Sequence, residues 1–513
     1  MLPVIDLFAG PGGLSEGFAS CRDNHQRHRF HIALSIEKDA SAHRTLELRA
    51  FFRKFALEGA PKSYYDYLRR RLTRDELFRQ FPAKSSSASA EAWHAELGNE
   101  KFPEKLIDRR IRQALGDRRD DWILIGGPPC QAYSLVGRAR IIGERGRQAY
   151  ERDHRHFLYK QYLRIIAEHR PTAFVLENVK GMLSASVDNA GVFPRILSDL
   201  QDPIGAMPNG FSARGKSLTY EIFPLNPASS ALDGSHAPGA FVVRCEEFGI
   251  PQARHRVILV GLRSDIRRTL QPLEPRSLRV PLSSAIGDLP AIRSGLSKEV
   301  DSATTWVDAV RSLTTTGWWK SKEICQQVRA RMVQALSELD ADLSLGAEFS
   351  KGGVMPAFSK DWLADPRIGG VCNHSARRHI RGDLHRYLFS ACFAEVNGRS
   401  PQLREFPRDL LPRHENVDEA VTNGKFGDRF RVQLSGRPAT TITSHIGKDG
   451  HYFVHYRPEQ CRSLTVREAA RVQTFPDNYL FEGNRTEQYK QVGNAVPPLL
   501  ALEIARAVAT AVG

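Results

Sequence analysis

Apolar residues in the first half of the chain come in short, nearly unbroken runs bounded by turn formers. The runs are Val4 to Phe8, Ile32 to Ile36, Trp122 to Ile125, Ala173 to Leu176 and Val257 to Val260. Unbroken runs, unlike alternating ones, predict strands covered on both faces, as in a parallel sheet. Helix-compatible stretches such as Leu158 to Ala167 lie between them. This alternation predicts an α/β chain built on a doubly wound, Rossmann-like sheet.

Two segments break the rhythm. Residues 42–120 read as an insertion, with basic, helix-prone sequence from Arg44 to Arg79. The Ser/Ala stretch Ser85 to Ala90 within them predicts a flexible surface loop. Residues 226–240, rich in Pro, Ser, Gly and Ala, predict a turn or loop. From 263 to 440 the chain is polar and Arg-rich with no clear period, and reads as a second, smaller domain. Thr465 to Phe475 predict a helix. Pro497-Pro498 opens a last helix to about Val512, because proline fits a first helical turn.

Charge narrows the partner. The 73 Lys and Arg exceed the 58 Asp and Glu, a formal +15 that favours a polyanion such as nucleic acid over a merely solvated basic surface. Hydrophobic residues at 41% and charged residues at 26% argue against wholesale disorder. The seven cysteines are scattered, odd in number and without a CxxC pair, so neither a disulfide framework nor a zinc ribbon is expected. Cys372 and His374 lie close together, but two ligands do not make a site, and no metal is expected. No apolar run approaches the roughly 18 residues of a membrane span, and the N-terminus opens on a strand-like segment. The expectation is a cytoplasmic protein without a membrane partner.

Four segments carry chemistry. In Asp6 to Leu14 a strand runs into a glycine-rich turn (Gly10, Gly12, Gly13) and a helix, which lets backbone amides approach a ligand. It is not GxGxxG, so a pyrophosphate cofactor is disfavoured. Glu37 ends the second predicted strand, where a carboxylate can accept from ribose hydroxyls. Gly126-Gly127-Pro128-Pro129 is a stiff exit that would hold Cys130 at the carboxyl edge of the sheet, a fair position for a nucleophile. The polar stretch Ser134 to His156, with Arg138 and five further arginines, suits a loop closing over a polyanion. Glu177, ending a buried strand, is a carboxyl able to hold or donate a proton. Arg254 and Arg256 share one face of an extended segment and can bind a phosphate, a base carbonyl or a carboxylate.

Together and in this order the segments resemble the cytosine-C5 DNA methyltransferase family. The matching text is DLFAGPGGLSEGF (6–18), GGPPCQAYS (126–134), LENV (176–179), QARHR (252–256), TVREAARVQTFPD (465–477) and QVGNAVPP (491–498). The resemblance covers 1–262 and 440–513 and implies three segments. Residues 1–262 would be a catalytic domain binding S-adenosylmethionine, 263–440 a target-recognition domain, and 441–513 a return segment completing the catalytic domain.

By resemblance Phe8, Gly10, Gly12, Gly13, Glu37, Asn494 and Val496 would line the cofactor pocket. Cys130 would attack C6 of a flipped-out cytosine in duplex DNA, Glu177 would engage the cytosine edge, and Arg254 and Arg256 would orient the base. DNA contacts are expected from Ser134, Arg138, Arg377, Arg378, Thr441 and Thr443. Lys38 stands where the family often has an aromatic residue. The acidic contact to the adenine amino group is open among Asp75, Asp108 and Asp117. A monomer is expected, with a possible cognate restriction endonuclease acting on the same site. The rival readings are an RNA cytosine methyltransferase, a non-catalytic DNA-binding module and a short-chain oxidoreductase. The length of 263–440, the intact Cys130, Glu177, Arg254 and Arg256 set, and the missing GxGxxG stand against them in turn.

Overall fold

The computed structural model describes the chain except for residues 56–58, 130–154, 185, 188–189, 209–210, 212–217, 227–236, 413–416, 418–421 and 423–426. The described residues form two compact units. One comprises 1–60, 78–278 and 495–513; the other comprises 61–77 and 279–494. Residues 441–494 thus group with 279–440 and not with the first unit.

The first unit is an α/β, Rossmann-like fold around one eight-stranded sheet. Its strands are β1 (Leu2–Leu7), β2 (Phe30–Glu37), β3 (Ala92–His94), β4 (Ile123–Gly126), β5 (Ala173–Val179), β6 (Tyr220–Phe223), β7 (Val242–Arg244) and β8 (His255–Arg263). The order is β3-β2-β1-β4-β5-β8-β6, with β7 also paired to β8. Strands β1 to β5 run parallel, and β8 runs antiparallel to β5, β6 and β7. The apolar runs are buried, as both-face coverage requires. Such coverage says nothing about direction, so the antiparallel β8 was not visible in its run of apolar residues. Strand order reverses at β1, between β2 and β4, and at such a point the carboxyl ends of the strands open a ligand crevice.

Helix α1 (Gly13–Ser20) follows β1, and α2 (Ala40–Arg53) follows β2. Residues 42–120 do not interrupt the sheet. They supply most of α2, then α3 (Pro82–Glu91), β3 beside β2, and α4 (Glu104–Leu115). Ser85 to Ala90, expected as a loop, is the body of α3. Pro82 sits in its first turn, and the Ser85 hydroxyl donates back to the carbonyls of Phe78 and Phe81 at 2.8 and 3.0 Å. Tertiary contact decides the helix: Ala88 is buried, and Glu91 takes ion pairs from Arg53 and Lys54 at 2.6 Å each. Most of 226–240 lies outside the described residues.

Helix α5 (Arg155–His169) lies between β4 and β5. In the second unit α6 (Arg381–Asn397) joins the helices Ala303–Arg311 and Gln326–Ser337 around Trp306, Val310, Met332 and Leu388. There α7 (Val466–Val472) starts at Thr465, whose hydroxyl and the Glu468 carboxylate form a reciprocal capping box. Its arginines are buried. Arg467 donates to the carbonyls of Cys372, Pro476 and Tyr479, while Arg471 pairs with Asp288 and Asp477. A planar guanidinium satisfied on every side can be interior, which is why Arg-rich sequence hid a core here.

The chain ends in α8 (Arg485–Asn494) and α9 (Pro498–Val512). Among the described residues only Arg485–Val512 is long and apolar enough to cross a membrane. Yet 61% of its most apolar window is buried in the protein and residues 495–497 break it, so it is core. Helix α9 lies on α1, where a Cβ on Gly17 would come within 2.5 Å of Ala501, so only glycine permits the approach.

Candidate active site

At the carboxyl end of β1 the backbone turns sharply. Phe8 (φ 58°), Gly10 (φ 57°) and Gly12 (φ 96°) are all left-handed. For Phe8 that conformation costs about 1–2 kcal/mol. The turn is held by Ala9 N–H donating to the Ile36 carbonyl at 3.0 Å and by the Glu37 carboxylate. Glu37 accepts from the Gly10 amide on one oxygen and the Asp39 amide on the other, each at 2.7 Å. Burial raises the Glu37 carboxyl above its ordinary value, against the lowering effect of the Asp39 and Gly10 amides. A carboxylate has about four acceptor positions, so with the Gly10, Asp39 and Lys38 amides counted there is still room for a hydroxyl donor. The space beside Gly10 is open: a Cβ there would meet nothing within 4 Å. On the other side of the turn Gly13 packs on the Val496 backbone. Asn494 is exposed, ends α8 and groups with the second unit.

Of the three acidic candidates for the adenine contact, Asp108 is occupied elsewhere. Burial opposes its ionisation, but hydrogen bonds from His169 and Arg164, both at 2.9 Å, hold its carboxyl below the usual range. Asp75 belongs to the second unit, and Asp117 follows α4. Sequence reasoning missed Glu96. Strand β3 pairs with β2 up to Glu37↔His94, and the Ala95 amide donates to the Glu37 carbonyl at 3.1 Å, so Glu96 emerges beside Glu37. Lys38, in the place of an aromatic residue, pairs with Glu96 at 3.0 Å. A strand of three residues carries no period to read, which is why this neighbour was hidden.

The second cluster forms where β4, β5 and β8 end and begin. Glu177 and Val179 of β5 sit opposite Ile258 and Arg256 of β8. This register lets Arg256 Nε meet Glu177 Oε1 at 2.8 Å, with both side chains 13% exposed. The turn after β4 abuts the same carboxylate: a Cβ on Gly127 would lie 2.9 Å from Glu177 Oε2. Arg254 is fully buried, and burial together with the Arg256 charge pushes its guanidinium down to about 9. Cys245 beneath the arginines is pushed up to about 12 by burial and is a poor nucleophile there. Glu177, Arg254 and Arg256 therefore converge beside Gly127, three residues before Cys130. Cys130, Ser134 and Arg138 lie outside the described residues.

A model of the C-5 cytosine-specific DNA methylase family matches residues 95–203 and 239–510. This chain belongs to that family. It is 33% identical to the Type II methyltransferase M.Bpa9945I of Bacillus paralicheniformis, over 98% of both chains. It is 25% identical to the Type II methyltransferase M.AgeI of Thalassovita gelatinovora, over 80% of this chain and 88% of that one. It is 27% identical to the DNA (cytosine-5-)-methyltransferase M.ApeKI of Aeropyrum pernix, over 75% and 81% respectively. The chain is accordingly a DNA cytosine methyltransferase.

In this DNA methylase the expected DNA contacts of the second unit differ in availability. Arg377 donates to the carbonyls of Ile446, Gly447 and Lys448 and stacks on Tyr489, 4.2 Å from the ring centre. Arg381 pairs with Glu299, and Arg386 with Asp383. Arg378 is exposed and has no such partner among the described residues. Thr443 is exposed and Thr441 half-buried. The Thr443–Ser444 backbone lies directly against Gly493 of α8, so this edge is held rigidly within the unit.

Proposed function

We propose that this methylase acts on C5 of a cytosine flipped out of duplex DNA, with Cys130 bonding to C6 and S-adenosylmethionine as methyl donor. The observation that carries the catalytic part is the Glu177–Arg256 pair, abutted by the turn that leads to Cys130. Support for the cofactor comes from the open cradle beside Gly10 and the Glu37 carboxylate, which still has room to accept from a ribose hydroxyl. Phe8, Gly12, Gly13 and Val496 would complete that pocket, and Glu96 would accept from the adenine amino group. When bound, S-adenosylmethionine supplies an electrophilic sulfonium methyl group.

Cytosine C5 is a poor nucleophile until C6 is attacked. The Cys130 thiolate would form a C–S bond at C6, with the displaced electron pair delocalised onto C5 and N3, where Glu177 would hold the proton. Arg256, anchored by Glu177, and Arg254 behind it would orient the base through hydrogen bonds to its carbonyl edge. Once the electron pair at C5 has formed the bond to the methyl group, loss of the C5 proton to a base would break the C6–S bond, expel the thiolate and restore the ring. A stacked cytosine cannot reach these groups, so the base must leave the duplex, at a cost of a few kcal/mol. Phosphate contacts from the basic chain, Ser134 and Arg138 among them, would offset part of that cost.

The second unit would read the target, with Arg378, Thr441 and Thr443 as contact residues. M.Bpa9945I and M.AgeI are Type II methyltransferases by name, which supports reading this chain as the modification partner of a restriction endonuclease; we further read it as a cytoplasmic monomer. Bisulfite sequencing of DNA from expressing cells should show 5-methylcytosine at one short motif, absent with Cys130→Ser. Unmethylated DNA despite good expression, or methylation that survives Cys130→Ser, would overturn the reading.

A further inference from the structure

Asp6 lies in β1 two residues before the left-handed Phe8, and it is buried. Its Oδ2 accepts a 2.6 Å hydrogen bond from the Ser15 hydroxyl in the first turn of α1, while Oδ1 is buried with no partner. Its register partner on β2 is Ser35, whose buried hydroxyl also has none. A carboxylate whose donors are only the neutral hydroxyl and backbone amide of Ser15 is weakly stabilised inside a core. The surrounding groups leave its charge finely balanced. Glu37 on β2 repels an anion, Arg53 on α2 attracts one, and Tyr162 on α5, itself near Asp6, is neutral and donates to the Val175 carbonyl. Burial is the largest influence, and the Asp6 carboxyl is pushed up to about 7. The catalytic cluster at Glu177 has no use for this proton.

The next step rests on the reading that the glycine turn holds S-adenosylmethionine. The donor would bring a positive sulfonium to the turn that begins two residues after Asp6, and after transfer the same sulfur is neutral. We propose that Asp6 senses that charge: binding of the cationic donor drives the Asp6 proton to solvent, and loss of the charge on transfer lets Asp6 take a proton back. The donor is thereby held more tightly than the product by a group that touches neither the methyl nor the cytosine. Asp6 acts as a positioning residue for the cofactor.

Titration calorimetry of the whole chain tests this, with S-adenosylmethionine and S-adenosylhomocysteine, in two buffers of different ionisation enthalpy, from pH 6 to 8. Both ligands carry an α-amino group that titrates nearby, so the readout is the difference between wild type and Asp6→Asn, which keeps an acceptor for Ser15. Donor affinity of the wild type should rise about tenfold more than that of the variant across this range, with net proton release; product affinity should not. Equal slopes and equal proton counts for donor and product overturn the inference. If Asp6→Asn does not fold, the donor–product difference in proton release on wild type decides alone. Failure of both ligands to bind would instead overturn the cofactor reading and, with it, this inference.

Discussion

Glu177 and Arg256 show what a single register achieves. An isolated carboxylate at a strand end is an ordinary solvated group, but opposite β8 it is fixed at 2.8 Å from a guanidinium that is itself mostly shielded. Glu177→Gln removes that anchor and, on the proposed mechanism, the proton carrier. Single-turnover methyl transfer should fall about 10²–10⁴-fold, and a rate within about threefold of wild type would show that Glu177 has no part in the chemistry. The cysteines separate in the same way. Burial pushes Cys21 and Cys372 up to about 11 and Cys245 up to about 12, whereas Cys325 is exposed. Brief alkylation of the folded chain near pH 7.5 should therefore label Cys325 and leave those three intact, as read by peptide mass spectrometry. The Cys130 motif was legible because two glycines and two prolines before a cysteine are rare chemistry. Glu96 and the partnerless Oδ1 of Asp6 were not, since both depend on what a neighbouring strand or helix brings.

Among the elements, the strands of the first unit were legible wherever an apolar run was long enough. Val4 to Phe8, Ile32 to Ile36 and Ala173 to Leu176 fall within or at the ends of β1, β2 and β5. Strands β3, β6 and β7 were missed because none of them carries an unbroken apolar run of four: His94, Glu221 and Arg244 interrupt or end them. Helix α3 was missed because its buried side consists of Ala88 and the paired Glu91, neither a hydrophobic marker. Contact between elements also sets their tolerance. Gly17→Val would drive α1 off α9 and should lower stability by about 1–3 kcal/mol in denaturant unfolding. Thr465→Ala removes half of the capping box on α7 and should cost about 1 kcal/mol. A loss below about 0.3 kcal/mol there would mean that packing alone holds this helix.

At the scale of the whole molecule, buried imidazoles tie stability to pH. Burial lowers His374, His379 and His455, with His379 brought from 6.5 to about 3. Each is neutral in the folded chain and takes up a proton on unfolding, so stability is full above about pH 6.5 and falls as pH drops from there toward 3. Asp6 has the opposite sign, because the folded chain holds its extra proton between 3.8 and about 7. His31, His385 and His451 are lowered by burial as well, while Glu37, Asp199 and Glu459 are raised like Asp6. These six imidazoles outnumber the four carboxyls, and the unfolding midpoint should drop between pH 7.5 and 5.5, less steeply in His379→Leu. An unchanged slope would remove His379 from this account. The formal +15 predicts that affinity for DNA falls steeply with salt, linear in log–log form.

The sequence by itself determined the α/β class, the glycine turn after β1 and, through the order of its motifs, the family. These are matters of local chemistry: which residues can be buried, turn sharply or attack. Only the tertiary structure decided that β8 runs against β5 and so joins Arg256 to Glu177. It likewise decided that β3 delivers Glu96 beside Glu37, and that the Arg-rich second unit buries its guanidiniums. Strand partners and burial of charge depend on residues far apart in the chain, such as Arg467 and Cys372 or Arg471 and Asp288, and their hydrogen bonds are settled only when the chain has closed around them.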